Sequence, residues 1–435
     1  MDNLDLAASR EKIDKKDKKI FLNNTLLVLV SSVAASLLTF LLHICLTRSL
    51  SVESYGAINV LIESLSTVIM IADLGTTVTL INLYVKYEKS GDHDKSIFLT
   101  CYIASAKIAI SLVSSVIIIL ALYLTQEAKL APGWLILIFG CASLEVIYQN
   151  ILTLYQCKGD YLRLAFYRMA LPTIRLLCIA IMVLYGDATE LTAIVLYSVS
   201  IVFTLCIVIG STAERGEILK ALRGLKYRND VVLEIKELTQ WTSLASLAVI
   251  FTMKMDLFLI LAMSSAIQVG IFSTSQKYAA ICVIVSSALA TVLMPQAGKI
   301  TGQKELHRYI RYSFKLAVIF AVPILALAFL SPVLIPNLFG NDYVDSIEVA
   351  QWLTLSFALG LFVNPVSYTF YNVGCAKYLT YMNLCQFGLA LGCSLILIPK
   401  FGALGAVIST AGTKIFAAFY IAWAYFSKVK MKLIL

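Results

Sequence analysis

Charge is scarce in this chain. Only 14% of its 435 residues are Asp, Glu, Lys or Arg, against about 25% in soluble globular domains. That scarcity excludes an ordinary water-soluble protein. Histidine is scarcer still, with three residues, and no metal-spaced His/Cys cluster occurs. H-E-x-x-H, G-x-S-x-G and GxxxxGK[ST] are all missing, so nothing points to a zinc protease, a serine hydrolase or an ATPase. Any transport work is therefore expected to draw on an ion gradient, the membrane potential or the cargo's own gradient. No cofactor and no metal are expected, and the coupling ion, Na+ or H+, stays open. The ten cysteines make no disulfide framework. Most of them, including Cys45, Cys178 and Cys282, lie inside apolar runs and read as reduced packing residues.

What is present is hydrocarbon: 60% of the residues are hydrophobic, in runs of about 20 that recur from one end to the other. Twelve spans are expected, at 21–46, 58–85, 97–122, 133–156, 169–186, 191–212, 240–263, 269–293, 314–335, 347–372, 380–398 and 405–426. Runs this long and non-alternating are helices, which satisfy their own backbone in lipid. The chain thus reads as an all-α polytopic membrane protein. The first 20 residues are polar and precede a long apolar run with no cleavage site, so no cleavable signal is expected.

The formal charge of +9 is explained by topology, and no nucleic-acid partner is expected. With the N-terminus in the cytoplasm, roughly 27 of the 35 basic residues face inward. The outward set is Arg48, Lys129 and Lys400. Both termini are then cytoplasmic. The expected layout is a basic tail over 1–20, an N-lobe over 21–212, a cytoplasmic linker over 213–239, a C-lobe over 240–426 and a tail over 427–435. The two lobes of six spans resemble one another: Tyr55-Gly56 is matched by Val269-Gly270, and Tyr155 and Gly159 by Tyr371 and Gly374. The shared offset of about 214 residues is what a parallel repeat about the membrane normal produces.

Ionisable residues inside the spans carry the functional signal. A charge at mid-bilayer costs about 2.5–3.5 kcal/mol on insertion scales, so it faces a cavity or a partner. These residues are Glu63, Asp73, Lys107, Glu145, Arg175, Lys254, Asp256, Lys277 and Lys414, with Arg48 at the outer rim. Asn59, Glu63, Ser66, Met70, Asp73 and Thr77 fall on one helical face. Glu145, Gln149, Thr153 and Gln156 form a second stripe; Ser356, Gly360, Asn364, Tyr368 and Tyr371 form a third. Taken singly, each charge is as well explained by pairing between helices. Taken together, they describe a polar, mildly cationic lumen suited to an anionic cargo. Outward loops of about 4–12 residues leave no room for a catalytic domain, and the chain is not expected to be an enzyme.

The chain resembles the Wzx-type O-antigen polysaccharide flippases, within the superfamily of multidrug, oligosaccharidyl-lipid and polysaccharide (MOP) exporters. The resemblance rests on short motifs in family order: Arg48-Ser49-Leu50 to Tyr55-Gly56, Asp73-Leu74-Gly75, Asp256, Val269-Gly270-Ile271-Phe272-Ser273, Pro295, Phe339-Gly340-Asn341-Asp342-Tyr343, Gly374-Cys375-Ala376-Lys377, and Pro399 to Ala406. It implies an alternating-access transporter in the bacterial inner membrane. The cargo would be an undecaprenyl-diphosphate-linked oligosaccharide repeat unit of O-antigen or related lipopolysaccharide. A polysaccharide polymerase and a chain-length regulator are the partners it implies, beside membrane lipid. On this reading Arg48, Lys107, Arg175, Lys254, Lys277, Asn364 and Tyr368 line the diphosphate and glycan lumen. Glu63, Asp73, Glu145 and Asp256 serve gating or ion coupling. Lys277 stands where the resemblance leads one to expect an arginine, which favours point-charge attraction over bidentate recognition. The alternative reading is a cation-coupled multidrug exporter of the same superfamily.

Overall fold

The computed structural model describes residues 2–124, 132–186, 189–211, 228–297, 300, 302–372 and 375–429. Lys129, Gly374, Lys430, Lys432 and most of the linker lie outside the described residues, as do the tail's side chains. Among the described residues the fold is helical, with no strand. The helices are α1 (Asp2–Ser49), α2 (Val52–Asp73), α3 (Thr76–Lys89), α4 (His93–Leu124), α5 (Pro132–Lys158), α6 (Tyr161–Tyr185) and α7 (Glu190–Ser211), then α8 (Asn229–Met263), α9 (Ala266–Ala297), α10 (Gln303–Phe339), α11 (Ser346–Asn372), α12 (Ala376–Phe401) and α13 (Ala403–Ala424).

Ten helices among the described residues are long and apolar enough to cross a membrane. The two further expected spans fall on α5 and α8, of 27 and 35 residues. The protein is a multi-pass membrane protein. Its lipid-facing character shows in the outward sides of α4 and α10, where Val116, Ile117, Val322 and Phe329 are all more than half exposed.

One expectation needs correction. The span over 58–85 is not one helix. Leu74 and Gly75 both take positive φ (38° and 77°) and split it into α2 and α3. Glycine adopts that conformation without strain, and Asp73 caps the second segment by accepting from the Thr77 amide at 3.3 Å. The polar face from Asn59 to Thr77 is therefore cut in two. α1 runs through both the expected tail over 1–20 and the first span. α8 begins at Asn229, within the expected linker, and continues through the span expected from 240.

The neighbour order recurs along the chain. α1 packs on α6 as α8 packs on α12; α4 packs on α5 as α10 packs on α11; and α6 on α7 as α12 on α13. The halves meet chiefly along α2 and α9. Near the Arg48 end these helices cross with backbones almost touching. A Cβ on Gly56 would lie 2.1 Å from the Ala266 carbonyl oxygen, and one on Gly270 would lie 2.4 Å from that of Val52. Only glycine fits at that separation. The crossing is surrounded by a buried apolar cluster drawn from both halves, including Leu46, Tyr55, Phe272, Phe339 and Tyr343. At the opposite end, ion pairs tie the halves: Lys86 to Glu234 (2.7 Å), Lys95 to Asp230 (3.0 Å) and Arg228 to Asp94 (3.5 Å).

Candidate functional site

Seven residues beyond each crossing glycine, two turns along each helix, come Glu63 on α2 and Lys277 on α9. A seven-residue step keeps side chains on the seam between two packed helices. The two therefore meet, as Gly56 and Gly270 do: Lys277 Nζ donates to Glu63 Oε1 at 2.7 Å. Lys254, from α8, donates to the other oxygen, Oε2, at 2.5 Å and to Ser66 Oγ at 3.0 Å. One carboxylate from the N-terminal half thus bridges two ammonium groups from the C-terminal half. The side chains are 11%, 17% and 19% exposed for Glu63, Lys254 and Lys277, so the cluster is largely withdrawn from solvent and leaves one positive charge over. On the same face as Glu63, one turn earlier, Asn59 is fully buried, and neither atom of its amide makes a hydrogen bond among the described residues. Ser273 stands in the same relation to Lys277.

Beside this cluster is a residue the sequence reading passed over. His43, on α1, is 2% exposed. Its Nδ1 lies 3.1 Å from the Tyr55 hydroxyl, and the Tyr55 ring meets Tyr343 edge to face. The scarcity of histidine was the only signal it carried in the sequence.

The other anticipated site residues go elsewhere. Lys107 donates to Asp73 Oδ1 (2.7 Å) and Thr77 Oγ1 (2.9 Å), on the helix break. Arg175 grips Glu145 with Nη2 at 2.6 Å, reaches Ser200 Oγ at 3.3 Å and lies over the Tyr197 ring at 3.9 Å. Both groups sit inside the N-terminal half. Arg48 does not point at the cluster: its Nε donates to the Leu338 carbonyl at 2.9 Å and its Nη2 to that of Asn337. It closes the C-terminal turn of α10, where free carbonyls and the helix dipole favour a cation. Asn364 and Tyr368 line a small cleft with Ser286 and Leu289, between α9 and α11. Asp256 has no cation beside it among the described residues; it accepts from Ser394 Oγ and Thr410 Oγ1, both at 3.0 Å. The interior charges, read as lining one lumen, are thus distributed over separate pairs. Among the described residues, Lys254, Lys277 and Glu63 are the interior charges that join the two halves at mid-span.

A multi-span helical bundle, split into two halves that meet on paired helices with buried charge between them, is the architecture of a membrane transporter. The chain belongs to the polysaccharide biosynthesis protein family, whose model matches residues 45–348. Its fold is that of the MOP superfamily. A multidrug resistance MATE family transporter in an inward-facing conformation matches with a TM-score of 0.74 at 16% identity, over 91% of this chain and 95% of that one. The lipid II flippase MurJ, inward closed, matches with a TM-score of 0.70 at 13% identity, over 94% and 91%. A MOP superfamily transporter from Pyrococcus furiosus, described as having a binding pocket of reversed polarity, matches at 0.63 and 14%, over 95% and 96%. No curated protein sequence matches significantly. The family expected from the motifs is thus borne out.

Proposed function

We propose that this protein flips a polyprenyl-diphosphate-linked oligosaccharide across the bacterial inner membrane by alternating access of its two halves. The observation that carries the reading is the Lys254–Glu63–Lys277 cluster. Its cations outnumber its acid at the contact between the halves, which is where an anionic headgroup crossing mid-bilayer needs counter-charge. A diphosphate carries about two negative charges and cannot enter hydrocarbon unaided, whereas ammonium groups in a confined site replace its lost hydration. Membership of a polysaccharide biosynthesis family supports a glycan on that headgroup.

On this reading the Lys86 end is cytoplasmic, following the bias of basic residues, and the Gly56–Gly270 crossing closes the periplasmic end. Asp256, half-buried, accepting from two hydroxyls and with no cation beside it among the described residues, is the residue best placed for ion coupling. Asp73, held by Lys107 at the break between α2 and α3, belongs to a hinge. A polymerase and a chain-length regulator would act on the delivered units. Deleting the gene in its native host tests the proposal. Surface polysaccharide should be lost and the lipid-linked unit should accumulate in the cytoplasmic leaflet. Unchanged glycan and lipid pools, in a host with no second flippase, would favour a drug exporter, to be pursued through drug sensitivity.

A further inference from the structure

A lysine ammonium offers three donors. Among the described residues Lys277 uses one of its three, on Glu63, and Lys254 uses two, on Glu63 and Ser66. The two ammonium groups share one carboxylate, each holding a different oxygen of it. That is how they would share a phosphate, whose oxygens can likewise be taken one by each lysine. Yet a carboxylate brings one negative charge to two positive ones, and a diphosphate brings about two. A diphosphate therefore fits the lysine pair better than the group that holds it. The buried amide of Asn59, unpartnered among the described residues, lies one turn away on the face of α2 that carries Glu63, which adds a neutral donor and acceptor beside the same position.

We propose that Glu63 is a built-in stand-in for the cargo's phosphate. It occupies the Lys254–Lys277 pair in this structure, a diphosphate-bearing headgroup displaces it, and the exchange releases α2 from α8 and α9. The anion exchange stands on the cluster's geometry; its assignment to a lipid-borne headgroup rests on the flippase reading above. Because Glu63 is on the N-terminal half and both lysines are on the C-terminal half, arrival of the anion cuts the mid-span tie between the halves. Cargo binding and the freedom to change conformation then become one event.

The consequence is opposite in sign to that of an ordinary salt bridge. Removing the acid should strengthen anion binding, because the lysine pair no longer has an internal competitor. The experiment uses full-length protein in lipid nanodiscs at low ionic strength, titrated calorimetrically with inorganic pyrophosphate. Glu63→Gln should bind about tenfold or more tightly than wild type, the factor expected if Glu63 holds the lysine pair nine-tenths of the time. Glu63→Asp keeps the charge on a shorter stem that reaches both lysines poorly, and should fall between the two. Lys277→Gln should bind more weakly than wild type. Equal or weaker binding by Glu63→Gln overturns the proposal, and if that variant fails to fold, the same result with Glu63→Asp does so.

Competition identifies the source of the headgroup. Displacement of pyrophosphate by polyprenyl diphosphate in the bilayer supports both the exchange and the flippase reading. Displacement by a soluble nucleoside diphosphate alone supports the exchange and overturns its lipid-borne assignment. Tighter pyrophosphate binding by Glu63→Gln, together with unchanged polysaccharide in the deletion strain, would remove the flippase reading and leave the exchange standing.

Discussion

The Arg175 guanidinium lies 2.6 Å from a Glu145 oxygen and 3.9 Å from the centre of the Tyr197 ring. With Ser200 it is closely satisfied, which suits a strut better than a cargo ligand. Arg175→Met should therefore act on stability, costing about 3–5 kcal/mol by leaving Glu145 buried without its cation. Arg175→Met with Glu145→Gln should recover most of that loss, read as the unfolding midpoint in detergent. Recovery of nothing would show that the guanidinium serves something other than its pair. Asp256 is the contrasting case, since its carboxylate accepts two hydroxyls and meets no cation among the described residues. Asp256→Asn should keep the fold and leave transport indifferent to the coupling gradient. Transport that still follows the gradient in that variant would take Asp256 out of the coupling role. At this scale the sequence showed which polar residues lie in apolar runs, because insertion cost makes them stand out. It could not show the partners, which are 191 and 214 residues from Glu63 for Lys254 and Lys277. Arg48 was legible as a rim cation, but its carbonyl partners on α10 were not, since a backbone acceptor leaves no trace in residue type.

Helix elements were legible almost throughout, since every expected span falls on a helix. The exception is the break at Leu74 and Gly75. A lone glycine in an apolar run carries little weight by itself, and the signal lay in the local capping set of Asp73, Gly75 and Thr77. The common offset of Gly56 and Gly270 is legible in the sequence; what they do is not. Their role follows from the separation of α2 and α9, which sequence does not encode locally. Gly56→Ala places a methyl group 2.1 Å from a backbone oxygen that cannot turn aside, so the helices must part. The expected cost is about 1–3 kcal/mol, typical of overpacking. Gly140→Ala on α5 is the control, because a Cβ there meets nothing within 4 Å, and it should be neutral or stabilising by up to about 1 kcal/mol. Equal shifts in the two unfolding midpoints would mean that the crossing is not a tight contact.

For the molecule as a whole, the central seam pairs residues that lie far apart in the chain. Gly56 packs against Gly270 and Glu63 pairs with Lys277, each pair 214 residues apart, so one register of α2 on α9 holds over two helical turns. The ion pairs at the Lys86 end add a second tie. The Asp230 carboxyl there is held below the ordinary carboxylate range by its hydrogen bond from Lys95. A lowered acid contributes fully above its unfolded value and is lost as pH falls through its folded one. The Lys95–Asp230 pair is therefore complete at neutral pH and is lost only as pH falls below the ordinary carboxylate range.

Because Glu63 and Lys277 face each other directly between α2 and α9, the central pair can be exchanged. Glu63→Lys alone would gather three ammonium groups in a largely buried site, and Lys277→Glu alone would set two carboxylates against one lysine. Each should cost several kcal/mol, on the order of the 3–5 expected when a buried pair is broken. The double variant Glu63→Lys with Lys277→Glu restores two lysines and one acid, with the exchanged pair still facing each other between α2 and α9. Its unfolding midpoint should return most of the way to wild type. The new acid would then sit on α9 beside Lys254, leaving one lysine on each half. A midpoint no better than the worse single variant would show that the surroundings of the pair, and not the pair alone, fix which half carries the acid.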